Sequence, residues 1–131
     1  MADLHISLLS IALAASLNLW LAIRCSKVRI SDKVLHGDGG NAALAKRMRA
    51  HANFIEYTPI GLLLILVIDL GHHHGWALAA IALAFLGGRV LHAFGMEADK
   101  PNKLRMIGTL TTWICYAILI GWAVLVALGV A

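Results

Sequence analysis

Long uncharged runs separated by short polar ones set the pattern of this chain. Ile6 to Ile23 carries no charge and stops at Arg24. Phe54 to Ile68 is apolar except for Glu56, with helical sequence reaching back to about Leu44 and forward to Leu70. Trp76 to Gly88 is apolar and continues through Arg89 and His92 to Gly95, and Ile107 to Ala131 has no charge at all. A helix crossing the hydrocarbon core of a bilayer needs about 20 mostly apolar residues. The pattern therefore predicts a single domain over 1–131, an all-α membrane protein whose four transmembrane helices cover about 5–27, 44–70, 75–96 and 104–130. Strands are excluded because the runs are long, rich in Ala and Leu, and lack a period of two.

Composition agrees. Hydrophobic residues make up 60% and charged residues 14% of 131 positions, with a mean hydropathy of +0.81. A soluble domain of this size needs far more polar surface to cover a core. The net charge of +4 comes from basic residues beside the apolar segments, with no interleaved aromatics or basic tail, so nucleic acid is not the expected partner. Cys25 and Cys115 form neither a ligand spacing nor a disulfide framework. Met1-Ala2-Asp3 is not a basic n-region and no cleavage site closes the first run, so this run reads as a retained helix.

The basic residues also set an orientation. Arg24, Lys27, Arg29, Lys33, Lys46, Arg47 and Arg49 flank the first connection, and Lys100, Lys103 and Arg105 the third, with Arg89 nearby. The turn between the second and third helices and both termini carry none. The positive-inside rule then places the two basic connections in the cytoplasm and both termini outside.

Ionisable side chains within a span are costly and face the bundle interior or a polar cavity. Arg49, Asn53 and Glu56 recur at i, i+4 and i+7 on the second helix; Arg89, His92 and Met96 at i, i+3 and i+7 on the third. With Arg24, Lys27 and Arg29 closing the first helix and Arg105 opening the fourth, all four helices bring polar groups to one depth. Snorkelling arginines plus one structural ion pair would explain part of this. Three arginines outnumber the single carboxylate, however, and that excess predicts an anionic ligand with carboxylate or phosphate groups.

Arg49-Ala50-His51-Ala52-Asn53-Phe54-Ile55-Glu56-Tyr57-Thr58-Pro59 resembles the signature of the MAPEG family, the membrane-associated proteins in eicosanoid and glutathione metabolism. Arg89-x-x-His92 followed by Arg105 resembles the prostaglandin E synthase branch. His36-Gly37-Asp38-Gly39-Gly40 before the signature looks most like the small bacterial members. The resemblance implies a homotrimer in a bacterial inner membrane, binding glutathione as co-substrate in clefts between subunits. It implies that Arg49, Asn53 and Glu56 hold the tripeptide's charged ends, with Glu56 pairing its ammonium or orienting an arginine. Arg29 would reach a carboxylate, Tyr57 and His92 would contact the peptide from the sides, and Arg89 and His51 would belong to the same binding set. Arg105 would be catalytic, stabilising the thiolate that attacks a lipophilic electrophile or hydroperoxide. Met96 stands where many active members carry a tyrosine; a thioether cannot donate, which counts against strong eicosanoid-synthase activity.

Other features are expected to be structural. His72-His73-His74 reads as a solvated outer turn without a carboxylate partner, so no metal site is expected. Asp69 before it reads as an exposed carboxylate at the outer interface. Trp20, Trp76 and Trp122 read as interfacial anchors, and Gly87-Gly88 as a close helix contact. The Gly37–Gly40 stretch lacks the context of a phosphate loop. Two rivals accompany the transferase or peroxidase reading: a non-catalytic membrane protein retaining a glutathione-like pocket for an anionic ligand, and a small transporter. The second needs a polar path through both leaflets, whereas the outer halves of the helices are almost wholly apolar.

Overall fold

The computed structural model describes residues 4–71 and 75–130; the expected histidine turn lies outside the described residues. Four helices follow one another: α1 (His5–Asp32), α2 (Ala42–Leu70), α3 (Trp76–Gly95) and α4 (Lys103–Ala127). Each is long and apolar enough to cross a membrane. α2 and α3 touch each other and both remaining helices, whereas α1 and α4 do not meet. The bundle thus places α1 and α4 on a diagonal, with Phe85, Ile65, Leu78 and Leu119 filling its centre.

Side-chain caps open two of the helices. Asn41 Oδ1 accepts from the Leu44 N–H at 3.0 Å, and Asn102 Oδ1 accepts from the Leu104 N–H at 2.8 Å, each satisfying an amide that the helix leaves without an internal partner. α1 continues five residues past the expected end near Lys27. Lipid sets the least length of a span, not the point where the helix must stop, and Ser26 to Asp32 contains no Gly or Pro. It ends where Lys33 adopts a left-handed conformation (φ 53°) and its N–H, with that of Val34, returns to the Arg29 carbonyl.

Glycines set the α3–α4 approach. A Cβ on Gly88 would stand 3.2 Å from the Gly108 carbonyl oxygen, and one on Gly108 would stand 2.6 Å from the His92 nitrogen. The backbones therefore meet through Gly88 and Gly108, with no van der Waals room for a methyl group at the latter. Gly87, also expected at this contact, has open space where its side chain would be.

Asp69 corrects the expectation of an exposed interfacial carboxylate. It is fully buried, and its Oδ2 accepts from the Ser7 N–H at 3.0 Å and the Ser7 hydroxyl at 2.6 Å. Leu4, at the N-cap of α1, offers no side-chain cap, so the last turn of α2 supplies one to α1. The carboxylate also complements the positive end of the α1 dipole. Asp69→Ala is expected to destabilise the bundle by about 1–3 kcal/mol, the cost of orphaned buried donors. Asp69→Asn keeps an acceptor and should lose less. Unfolding in mixed micelles by increasing SDS measures both; an unchanged Ala variant would refute the cap.

Candidate functional site

The residues expected to form one polar cluster divide into two groups. Asn53 and Tyr57, one turn apart on α2, face the interior and meet Arg89 of α3. The Arg89 guanidinium donates to Asn53 Oδ1 at 2.6 Å, to the Gly108 carbonyl at 3.2 Å and to the Thr112 hydroxyl, and its Cζ lies 5.3 Å from the centre of the Tyr57 ring. Arg89 is 3% exposed and has no carboxylate within ion-pairing distance among the described residues. Neutral oxygens and an aromatic face therefore solvate a cation in the middle of the bundle. His92, one turn further along α3, is also buried, with the Gly108 backbone against it.

Arg49 and Glu56 form the second group. Their side chains pair in a two-point contact, Nη1 to Oε1 at 2.8 Å and Nη2 to Oε2 at 3.3 Å, on an exposed flank of α2. The expected surplus of buried cations is thus distributed differently: Arg49 is neutralised by Glu56, Arg89 is held by neutral groups, and Arg105 is exposed.

Arg105 lies in the first turn of α4, at one end of a groove of about 500 Å3. The 98–102 loop forms one wall; Met106, Thr109, Leu110 and Trp113 continue along α4. Among the described residues no carboxylate pairs with the Arg105 guanidinium. The two regions join at Trp113, whose indole N–H donates to the Tyr57 hydroxyl at 3.2 Å. The Tyr57 ring also meets Tyr116 edge-on, and the Tyr116 hydroxyl donates to the Tyr57 carbonyl. Tyr57 is thereby fixed between the buried Arg89 and the groove that begins at Arg105.

Two expected ligand contacts are engaged elsewhere. His51 meets Asn18 of α1, Nε2 to Oδ1, at 2.7 Å. Arg29 donates to the Gly37 carbonyl at 2.8 Å and to the Met48 sulfur at 3.3 Å, tying down the loop after α1. Met96 closes α3 and contributes no donor from its side chain.

Several residues here were not signalled by charge. Thr112, Trp113 and Tyr116 sit on a helix whose apolar stretch is uncharged, and Asn18 on a first helix equally so up to Arg24. Gly108 and Thr112, one turn apart, were the available signal: a small and a hydroxyl residue on one helical face. The loop acids were missed as well. Glu97 pairs with Arg24 and, at 3.4 Å, with Arg47, while Lys46 binds Asp99. That hydrogen bond and the lysine's charge hold the Asp99 carboxyl below the ordinary carboxylate range. Three basic residues that read as topology signals thus clasp the α3–α4 loop, which walls the groove.

Fold and site together define a multi-pass membrane protein with a buried arginine centre and a cationic groove at one end of its bundle. The MAPEG family model matches residues 7–125, and the chain belongs to that family. It is similar to the inner membrane protein YecN of Escherichia coli strain K12, with 27% identity over 115 residues covering 88% of this chain and 87% of the relative. The YecN of Escherichia coli O6:H1 matches to the same extent. No solved structure gives a significant match. Its four spans and these relatives make the chain a multi-pass inner-membrane protein.

Proposed function

We propose that this chain is a glutathione-dependent transferase or peroxidase acting on lipophilic electrophiles or hydroperoxides. The observation that carries the reading is Arg105, an exposed guanidinium without a carboxylate partner among the described residues, placed in a groove that runs from the charged loop to the apolar Trp113. A thiol of the cysteine type has a pKa of about 8.5, and only its anion is a strong nucleophile. A guanidinium beside the sulfur favours the anion by roughly 1.4 kcal/mol for each unit of pKa lowering. The polar end of the groove suits a charged peptide, and the Trp113 end suits a co-substrate arriving from lipid. Family membership supports the same ligand class.

Arg105→Ala is expected to leave glutathione binding within a few-fold while lowering conjugation of a model electrophile at least tenfold. Calorimetry and loss of thiolate absorbance near neutral pH separate the two effects. Equal loss of binding and turnover would make Arg105 a clamp and remove its catalytic role.

The same reading includes a homotrimer and a cytoplasmic location for the two basic connections. Glu56 stands at the midpoint of α2, with its side chain 48% exposed and that of its partner Arg49 57% exposed. A charged pair at that depth is costly against lipid, so a second copy covering this flank is the favoured arrangement. Met96 supports the second reading, a non-catalytic pocket for an anionic ligand. Binding without turnover across a panel of electrophiles and hydroperoxides would select it.

A further inference from the structure

The end of α1 offers a surface apart from the Arg105 groove. Beyond Arg24 the helix continues for two further turns, and its outward side carries Lys27 and Ile30 before Lys33 ends it. Ile30 is 79% exposed and Leu35 85% exposed, two large apolar side chains left uncovered in a basic segment. They stand at the rim of a groove of about 610 Å3 together with Ser26, Arg29, Lys33 and Val34.

This surface continues the lipid-facing side of the span. Leu19 and Ile23 are exposed one turn apart on α1, and Lys27 and Ile30 follow at helical spacing. An acyl chain lying against Leu19 and Ile23 would bring its headgroup to the level of Lys27 and Lys33. The groove is also built to stay in place. Arg29 fixes the loop through the Gly37 carbonyl, and the Lys33 and Val34 amides are tied to the Arg29 carbonyl. The neighbouring carboxylate, Asp32, accepts from the Ser31 hydroxyl at 2.7 Å and from the Asn41 amide, which hold it without cancelling its charge; Lys27, Arg29 and Lys33 outnumber it. The groove itself carries Arg29 and Lys33, and Lys27 is exposed on the neighbouring side of the helix; neither lysine forms an ion pair among the described residues.

We propose that the end of α1 and the loop after it dock an anionic phospholipid, its phosphate at Lys33 with Lys27 flanking the groove, and its glycerol and upper acyl carbons against Ile30 and Leu35. Cationic side chains beside a membrane surface select anionic over zwitterionic headgroups, and apolar side chains next to them bury at the acyl boundary. The site is separate from Arg105 and does not depend on catalysis.

The test uses the full-length protein purified in a neutral detergent, with thermal stability followed as lipid is added. Phosphatidylglycerol is expected to raise the melting temperature, with phosphatidylcholine doing so at concentrations on the order of tenfold higher. Lys27→Gln with Lys33→Gln should abolish that difference, Ile30→Ser with Leu35→Ser should weaken the response to both lipids, and raising the salt concentration should reduce the preference. Soluble glycerophosphate should have no effect. Equal responses to the two lipids, a preference unchanged in the lysine double variant, or a glycerophosphate effect matching phosphatidylglycerol would each overturn the proposal. So would disulfide cross-linking between copies through Leu35→Cys, which would show that a second chain covers the rim.

Discussion

Arg89→Leu is expected to destabilise the folded bundle by about 1–3 kcal/mol, although it removes a buried charge. Replacing a buried ion by an apolar residue relieves desolvation and is often neutral or stabilising when the partner goes with it. Here the partners remain. Asn53 Oδ1 loses its 2.6 Å donor, and the Thr112 hydroxyl loses another in a site that water does not reach. The Gly108 carbonyl is less affected, because Thr112 donates to it at 2.8 Å as well. Interhelical hydrogen bonds in membranes average about 0.6 kcal/mol, so loss of contact alone gives a small effect. The half-buried Asn53 oxygen, left without its donor at about 1–3 kcal/mol, dominates the estimate, since the Thr112 hydroxyl keeps the Gly108 carbonyl as a partner. The double variant Arg89→Leu with Asn53→Leu should recover part of the loss. SDS-driven unfolding of the four proteins in this cycle measures the coupling. An Arg89→Leu variant more stable than the parent would show that the arginine is held at a net cost, as a group kept for a ligand would be.

The same arginine shows how far the sequence carries. That a charged residue within the third run must face the interior follows from the cost of placing it against lipid, and so does the presence of four spans. The direction each polar residue takes around its helix was less legible. At about 100° per residue, Arg49 and Glu56 project within about 20° of each other, with Asn53 about 40° and Tyr57 about 80° round from Arg49. One polar stripe is therefore wide enough to straddle the edge of the bundle. Asn53 and Tyr57 fall on the inner side and reach Arg89, while Arg49 and Glu56 fall outside and pair with each other. Spacing along a helix alone does not show where a neighbouring helix will cut across such a stripe.

Neutral partners were hidden for a different reason. Charge marks a residue as expensive in lipid, but a threonine, tyrosine or tryptophan is unremarkable in an apolar run. Thr112, Trp113 and Tyr116 were thus invisible until α4 was placed against α2 and α3. Asp69 was legible as a charge and wrongly placed, because its role depends on the first turn of α1 being beside it. The end of a helix creates demand for an acceptor, and which distant residue meets it is a property of the packing.

Gly95→Ala should have the largest effect of any single methyl group at the groove. The added Cβ would overlap the Arg105 nitrogen and lie 2.6 Å from the Arg105 Cα. Both obstacles are backbone atoms in the first turn of α4, so no side-chain rotation relieves the clash. α4 must move or the α3–α4 connection must distort. Overpacking of this kind costs about 1–3 kcal/mol, and the upper end applies where only backbone can yield. The displacement also moves Arg105 relative to Tyr57 and Trp113, so on the proposed reading turnover should fall at least tenfold even at temperatures where the variant remains folded. Gly87→Ala is the control, since its side chain would enter open space on the same helix. It should retain stability and activity, and gain slightly from the better helix propensity of alanine. Circular dichroism in detergent reads the stability, and glutathione conjugation reads the position of Arg105. A Gly95→Ala protein that melts with the parent would mean that the 96–102 connection absorbs the methyl group, leaving the clasp formed by Arg24, Lys46 and Arg47 as the element that fixes the groove.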